Sequence, residues 1–142
     1  MLLDIKSRMQ EESVLELMEY AVLADSGELE QVTAEYREDE SLGLFGYVEE
    51  EDTIGVIGFR KTGDELRIKH MAVQPEYRGM GYGRGLLLEL MLLTKPEKVV
   101  CEAYADAVDF YRNLGFEVIA IDEGPGGERF VCTYEVHAEE EE

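Results

Sequence analysis

The chain has 142 residues, 13 basic and 33 acidic, for a formal net charge of -20 and a pI near 4.3. Its length suits one domain without room for two independent cores, and a hydrophobic share of 45% excludes wholesale disorder. Charge of this sign is repelled by nucleic acid backbones and by anionic lipid, so neither is expected as a partner.

Met1–Lys6 reads as a short edge strand. Val14, Leu15, Leu17, Met18, Ala21 and Val22 then recur at helical spacing and predict a helix within Gln10–Ala24, with Ser13 as a cap. Ser26-Gly27 breaks it, and a more polar helix is expected over Glu28–Glu38. Leu42–Val48 and Thr53–Arg60 are β-rich runs joined by an acidic turn, which predicts an antiparallel hairpin. Thr62-Gly63-Asp64 turns into a third strand, Glu65–Val73, ended by Pro75. Arg78–Gly85 reads as a glycine-rich loop, followed by the apolar helix Leu86–Leu93, expected to be core throughout. Lys98–Ala103 is a strand, Asp106–Leu114 a short helix and Phe116–Ile121 a strand. A turn at Gly124-Pro125-Gly126-Gly127 leads into the last strand, Arg129–Val136, and the glutamate-rich end 137–142 reads as a disordered tail. The order predicts an α/β fold: a mixed central sheet with helices on both faces.

Cys101 and Cys132 both lie in apolar runs, as reduced core residues would, and no signal peptide or membrane-length apolar run is present. A cytoplasmic location is the expectation. Charge is uneven along the chain. Residues 1–52 hold sixteen acidic and three basic residues, whereas 60–84 hold six basic residues and three acidic ones.

That basic island contains the segment with most chemical content. Gly79, Gly81, Gly83 and Gly85 leave backbone N–H groups uncovered just before a helix, and Arg78 and Arg84 flank them. Such an arrangement cradles an anion, because the first N–H groups of a helix lack partners and sit at the positive end of its dipole. The Walker pattern fails for want of a lysine after the glycines, and the dinucleotide fingerprint fails at Arg84 or at Leu86. A tight strand-to-helix turn with glycines kept for packing would account for the loop equally well on these residues alone.

Arg78-x-x-Gly81-x-Gly83, preceded by the hydrophobic Met71-Ala72-Val73 and followed by Phe110-Tyr111-Arg112-Asn113-Leu114-Gly115-Phe116, resembles the GCN5-related N-acetyltransferase (GNAT) superfamily in both motifs and their separation. The likeness is close from about residue 55 to 119 and coarse before that. Tyr104 stands roughly where many members have an asparagine. The resemblance implies a single GNAT-like domain over residues 1–136, with about six or seven strands and a splay between the fourth and fifth. It implies acetyl-CoA as co-substrate, with no metal. Main-chain groups of Met71, Ala72 and Val73 would meet the pantetheine, and Arg78, Gly79, Met80, Gly81, Tyr82, Gly83 and Arg84 would hold the pyrophosphate. Tyr82 and Met80 contribute by backbone in this reading. The acceptor would be a small amine or a peptide amine, and the acid of the N-terminal half favours a cationic one. The last strand or the exposed hairpin could support a homodimer.

By its place in the second motif Tyr111 resembles the general acid that protonates the departing thiolate, and core packing beside Phe110 and Phe116 is its structural alternative. His70 titrates near neutrality as a residue type but is expected on one apolar face with Leu66, Ile68 and Ala72, which favours a satisfied core histidine. Glu65, Glu76 and Glu102 are the other bases considered, each equally a solvated surface charge, and none is assigned. A non-catalytic acyl-CoA-binding or regulatory module on the same fold is the second function class.

Overall fold

The computed structural model describes residues 2–24, 28–124 and 127–136. Seven strands lie among them, β3 and β7 being rich in β-branched and aromatic residues: β1 (Leu2–Asp4), β2 (Leu42–Glu49), β3 (Asp52–Thr62), β4 (Glu65–Val73), β5 (Lys98–Tyr104), β6 (Glu117–Gly124) and β7 (Gly127–Glu135). They form one sheet in the order β1-β2-β3-β4-β5-β7-β6. Every neighbouring pair is antiparallel except β4 and β5. The expected mixed sheet is therefore present. The Ser26-Gly27 break, Pro125-Gly126 and the tail from His137 lie outside the described residues.

Helices cover both faces. α1 (Glu12–Ala24) and α2 (Leu29–Glu38) bury Val14, Leu17, Met18 and Tyr36 against Leu42, Leu44 and Val56. On the opposite face α3 (Tyr82–Thr94), which crosses from β4 to β5, and α4 (Val108–Asn113) close over Ile57, Phe59, Leu66, Ile68, Val99 and Cys101. Leu86, Leu87 and Leu90 of α3 are fully buried, each contributing about 1.5–3 kcal/mol relative to exposure. Cys101 and Cys132 are buried free thiols and pair across β5 and β7.

Four local expectations are corrected. Ser13 lies inside α1, and its hydroxyl accepts from the Thr53 N–H at 3.3 Å, fastening the helix to β3 instead of capping it. The helix expected from Leu86 begins at Tyr82, so Gly83 and Gly85 are helical. A Cβ on Gly85 would lie 2.7 Å from the Tyr47 hydroxyl: this glycine lets α3 approach the sheet. The apolar run Leu86–Leu93 is not core throughout, since Leu88, Leu92 and Leu93 are exposed.

The fourth correction concerns β4. Phe59 pairs with Ile68 and Gly58 with His70, leaving Lys69 as an extra residue without a partner on β3. A bulge of this kind reverses the alternation beyond it. Leu66 and Ile68 face α3 and α4, whereas His70 meets Tyr36 of α2, and Ala72 packs on the α1–α2 cluster. The four residues do not share a face.

Candidate active site

The bulge has a consequence on the other edge of β4. Register between β4 and β5 runs only from Glu65↔Lys98 to Ile68↔Cys101. Past that point β5 continues to pair with β7 as far as Tyr104, and the β4–β5 ladder is not resumed. The expected splay therefore opens where the extra residue bends β4. Backbone groups of β4 on that edge lose their ladder partners, an arrangement that an extended, amide-bearing ligand can complete.

The gap is a cleft of about 610 Å³. Its walls come from β4 (Arg67 to Met71), β5 (Cys101 to Tyr104) and α4 (Phe110 and Tyr111), with Ala21, Val32 and Glu35 from α1 and α2 and Arg129 from β7. Charges of both signs line it. Glu35, Glu102 and Asp106 oppose Arg67, Lys69 and Arg129, and Arg129 is tied to Glu102 at 2.8 Å and to Asp122 at 2.7 Å.

Tyr111 reaches this cleft from α4. The helix ends at Asn113 and is followed by Gly115, whose φ of 98° suits glycine, and the N–H groups of Leu114 and Phe116 return to the Tyr111 carbonyl. The Tyr111 ring packs edge-on to Phe110 and Phe116, with centroids 5.0 and 5.3 Å away. Only 7% of the residue is exposed. Burial, then the neighbouring Cys101 thiol, pushes its phenol well above the ordinary tyrosine range. The proton is thus held at every pH near neutrality. Burial likewise raises Cys101, so that thiol stays protonated.

The glycine loop lies beside the cleft rather than in its wall. Gly79 and Gly81 have φ of 79° and 89°, and a Cβ on either would meet nothing within 4 Å. These glycines answer to backbone conformation under open space, a cradle a ligand can enter. Gly81 is the N-cap of α3 and no side chain caps the helix. The first helical bond runs from the Gly85 N–H to the Gly81 carbonyl at 2.9 Å, so the amides of Tyr82, Gly83 and Arg84 have no intrahelical acceptor. A Cβ on Gly83 would stand 3.6 Å from Phe110, the ring that also lines the cleft, which puts the first turn of α3 next to it.

The other anticipated residues fall as follows. Met71 lines the cleft, Ala72 points to the α1–α2 core, and Val73 packs on the opposite face. Arg78 turns back from the loop: its Nε donates to the Val73 carbonyl at 2.8 Å and its guanidinium lies 5.0 Å from the centre of the Tyr20 ring. Arg84 and Met80 are exposed, while Tyr82 is wedged between Tyr47 and Tyr77. Tyr104 and Glu102 line the cleft, Glu65 lies 3.5 Å from Arg67, and Glu76 sits at a separate acidic hollow by α1. Glu35 and Lys69 were visible in the sequence only as members of the acidic and basic stretches, and Arg129 only as the start of the last strand, because it takes the splay and the bulge to bring them to one place.

The family model of the acetyltransferase (GNAT) domain matches residues 40–118. An uncharacterized N-acetyltransferase from the lysA 3' region of Bacillus methanolicus is 36% identical over 67 residues, 46% of this chain and 56% of that relative. The match thus spans little more than half of the relative's length. A GNAT family acetyltransferase from Elizabethkingia anophelis, solved with acetyl-CoA bound, superposes with a TM-score of 0.72 at 18% identity, over 96% of this chain and 97% of that one. The ribosomal-protein-S18-alanine N-acetyltransferase from Escherichia coli gives 0.68 at 16% identity, over 96% and 93%. These two likenesses carry the fold, and the family model covers more than half of the chain. The protein belongs to the GNAT acetyltransferase family.

Proposed function

We propose that this chain transfers the acetyl group of acetyl-CoA to a primary amine by direct attack of the amine on the thioester, with Tyr111 as general acid. The observation that carries this is the interrupted β4–β5 ladder, open over residues 69–73, with the protonated Tyr111 phenol on the same cleft. Main-chain groups of Met71, Ala72 and Val73 take the pantetheine amides as an added strand would. Arg78 yields the Val73 carbonyl to the ligand and turns its charge to the pyrophosphate. The amides and glycines from Gly79 to Gly83 cradle the phosphates beside Arg84. The acceptor is a small amine or peptide amine, with a cationic one favoured by the acid of the first two helices. The cytoplasm is the proposed location, in keeping with two buried free thiols in facing strands.

Calorimetry with acetyl-CoA, paired with thiol release over a panel of polyamines, aminoglycosides, amino acids and peptides, tests this reading. Binding together with acceptor-dependent release is expected. Binding without release by any amine would make the chain an acyl-CoA-binding module. Absence of binding would overturn the assignment of the cleft.

A further inference from the structure

A second hollow, of about 410 Å³, shares no lining residue with the β4–β5 cleft. Six carboxylates from three parts of the fold line it: Glu11, Glu12 and Glu16 at the start of α1, Glu51 and Asp52 at the β2–β3 turn, and Glu76 after β4. No basic side chain lines it, and of the six only Glu11 has an ion pair among the described residues, with Arg8 at 3.8 Å. The dipole of α1 favours acid in its first turn, which accounts for Glu12. It does not account for Glu16 one turn on, nor for Glu51, Asp52 and Glu76, and like charges gathered in this way repel. Thr53 stands among these acids, 0% exposed. Its N–H donates to Ser13 Oγ at 3.3 Å, and its carbonyl accepts from Gln74 Nε2 at 3.3 Å. Two side chains of the hollow thus pin its backbone. Its methyl is turned to β2, where a Cβ on Gly46 would stand 3.2 Å away. That leaves Oγ1 for the hollow, and among the described residues it is the one buried side-chain oxygen or nitrogen without a hydrogen-bond partner. Valine would fill the same space with no hydroxyl left unmet, so what the threonine suits is a donor arriving from outside.

We propose that this hollow is a binding site for a linear aliphatic polyamine, its ammonium groups shared among the carboxylates and one of them donating to Thr53 Oγ1. Charge sets the sign of the ligand, and the spacing of the acids sets its form. Among the described residues no three acids are grouped closely enough to hold a metal ion, so separate charges along a flexible chain suit the hollow better than one compact ion. A volume of about 410 Å³ lies within the range of small-molecule sites and takes such a chain whole. Each ammonium carries three donors and no acceptor, which matches walls made of carboxylates, a hydroxyl oxygen and the Gln74 amide oxygen. The site lies outside the transfer cleft, and the inference does not rest on the acetyl transfer proposed above.

Calorimetry on the full chain without acetyl-CoA tests the site, with spermidine as the probe. Spermidine is expected to bind about tenfold more tightly than butylamine, more tightly than Mg²⁺, and less tightly as salt rises. Glu12→Gln/Glu76→Gln should lower that affinity about tenfold, whereas Glu35→Gln, on the transfer cleft, should leave it within about twofold. Thr53→Val keeps every carboxylate. It should raise the melting temperature of the free protein, because an unmet hydroxyl is removed, and still weaken spermidine about fivefold. Absence of spermidine binding overturns the site, as does binding altered only by Glu35→Gln, which would place the polyamine in the transfer cleft. Mg²⁺ binding as tight as that of spermidine would make the hollow a metal site instead. Unchanged affinity in Thr53→Val would leave only diffuse attraction to an acidic surface, and a lowered melting temperature would show that the hydroxyl is met within the protein; either overturns the proposal. With no acetyl-CoA present, these outcomes stand apart from the thiol-release test of acetyl transfer.

Discussion

The surroundings of Tyr111 and Tyr47 raise both phenols. Tyr111 is raised by burial, and Tyr47 is pushed up to about 12 by burial and by Glu89, whose carboxylate accepts its hydroxyl at 2.6 Å. A raised folded-state value means that the native protein keeps a proton which the unfolded chain has already lost. For Tyr47 the resulting stability is whole below pH 10 and is lost as the pH climbs from 10 to 12. The loss is about 1–2 kcal/mol, less than the full value of about 1.4 per unit because the pair reaches solvent. Denaturant unfolding at pH 9, 10 and 11 should therefore show a steeper decline in the wild type than in Tyr47→Phe. Equal slopes would mean that Glu89 and burial leave this phenol unperturbed.

At the scale of elements, the course of the chain was largely legible. Hydrophobic periodicity placed the helices and strands, and the motif around Arg78, Gly81 and Gly83 falls at the N-terminus of α3, where the anion cradle is proposed. What periodicity could not show was the bulge at Lys69, because an extra residue in a strand leaves no mark on composition. It moved His70 to the other face of β4, where the residue is still buried and hydrogen-bonded to Tyr36. Gly85 misled for the opposite reason: a glycine that permits close helix-to-sheet packing looks in sequence like loop. The distinction among the glycines is testable. Gly81 needs its positive φ, so replacing it also strains the backbone, whereas Gly83 has no positive φ and would meet only Phe110 at ordinary contact distance. Gly83→Val should fold with near-native stability and lose at least tenfold in acetyl-CoA affinity by calorimetry, since its side chain stands between the α3 amides and the ligand. Unchanged affinity would take the pyrophosphate away from this helix terminus.

For the molecule as a whole, a net charge of -20 surrounds a cleft whose walls carry both signs. Under the proposed function, long-range attraction of a cationic amine would be a property of the surface, above all of α1 and α2, and local discrimination would belong to the walls. Screening separates the two, because the Debye length falls from about 10 Å at 0.1 M salt to about 3 Å at 1 M. The kcat/KM for a polyamine or aminoglycoside acceptor should exceed that for glutamate at low salt and decline as salt rises. A preference for glutamate, or a salt-independent rate for the best cationic amine, would show that the surface field plays no part. Acetyl transfer from the β4–β5 cleft is tested most directly by Tyr111→Phe, which removes one hydroxyl from a buried ring. Acetyl-CoA affinity should stay within threefold of wild type while turnover, under conditions where chemistry limits the rate, falls by about 10²–10⁴. Turnover within threefold of wild type would contradict the role of Tyr111 and return the ring to the core.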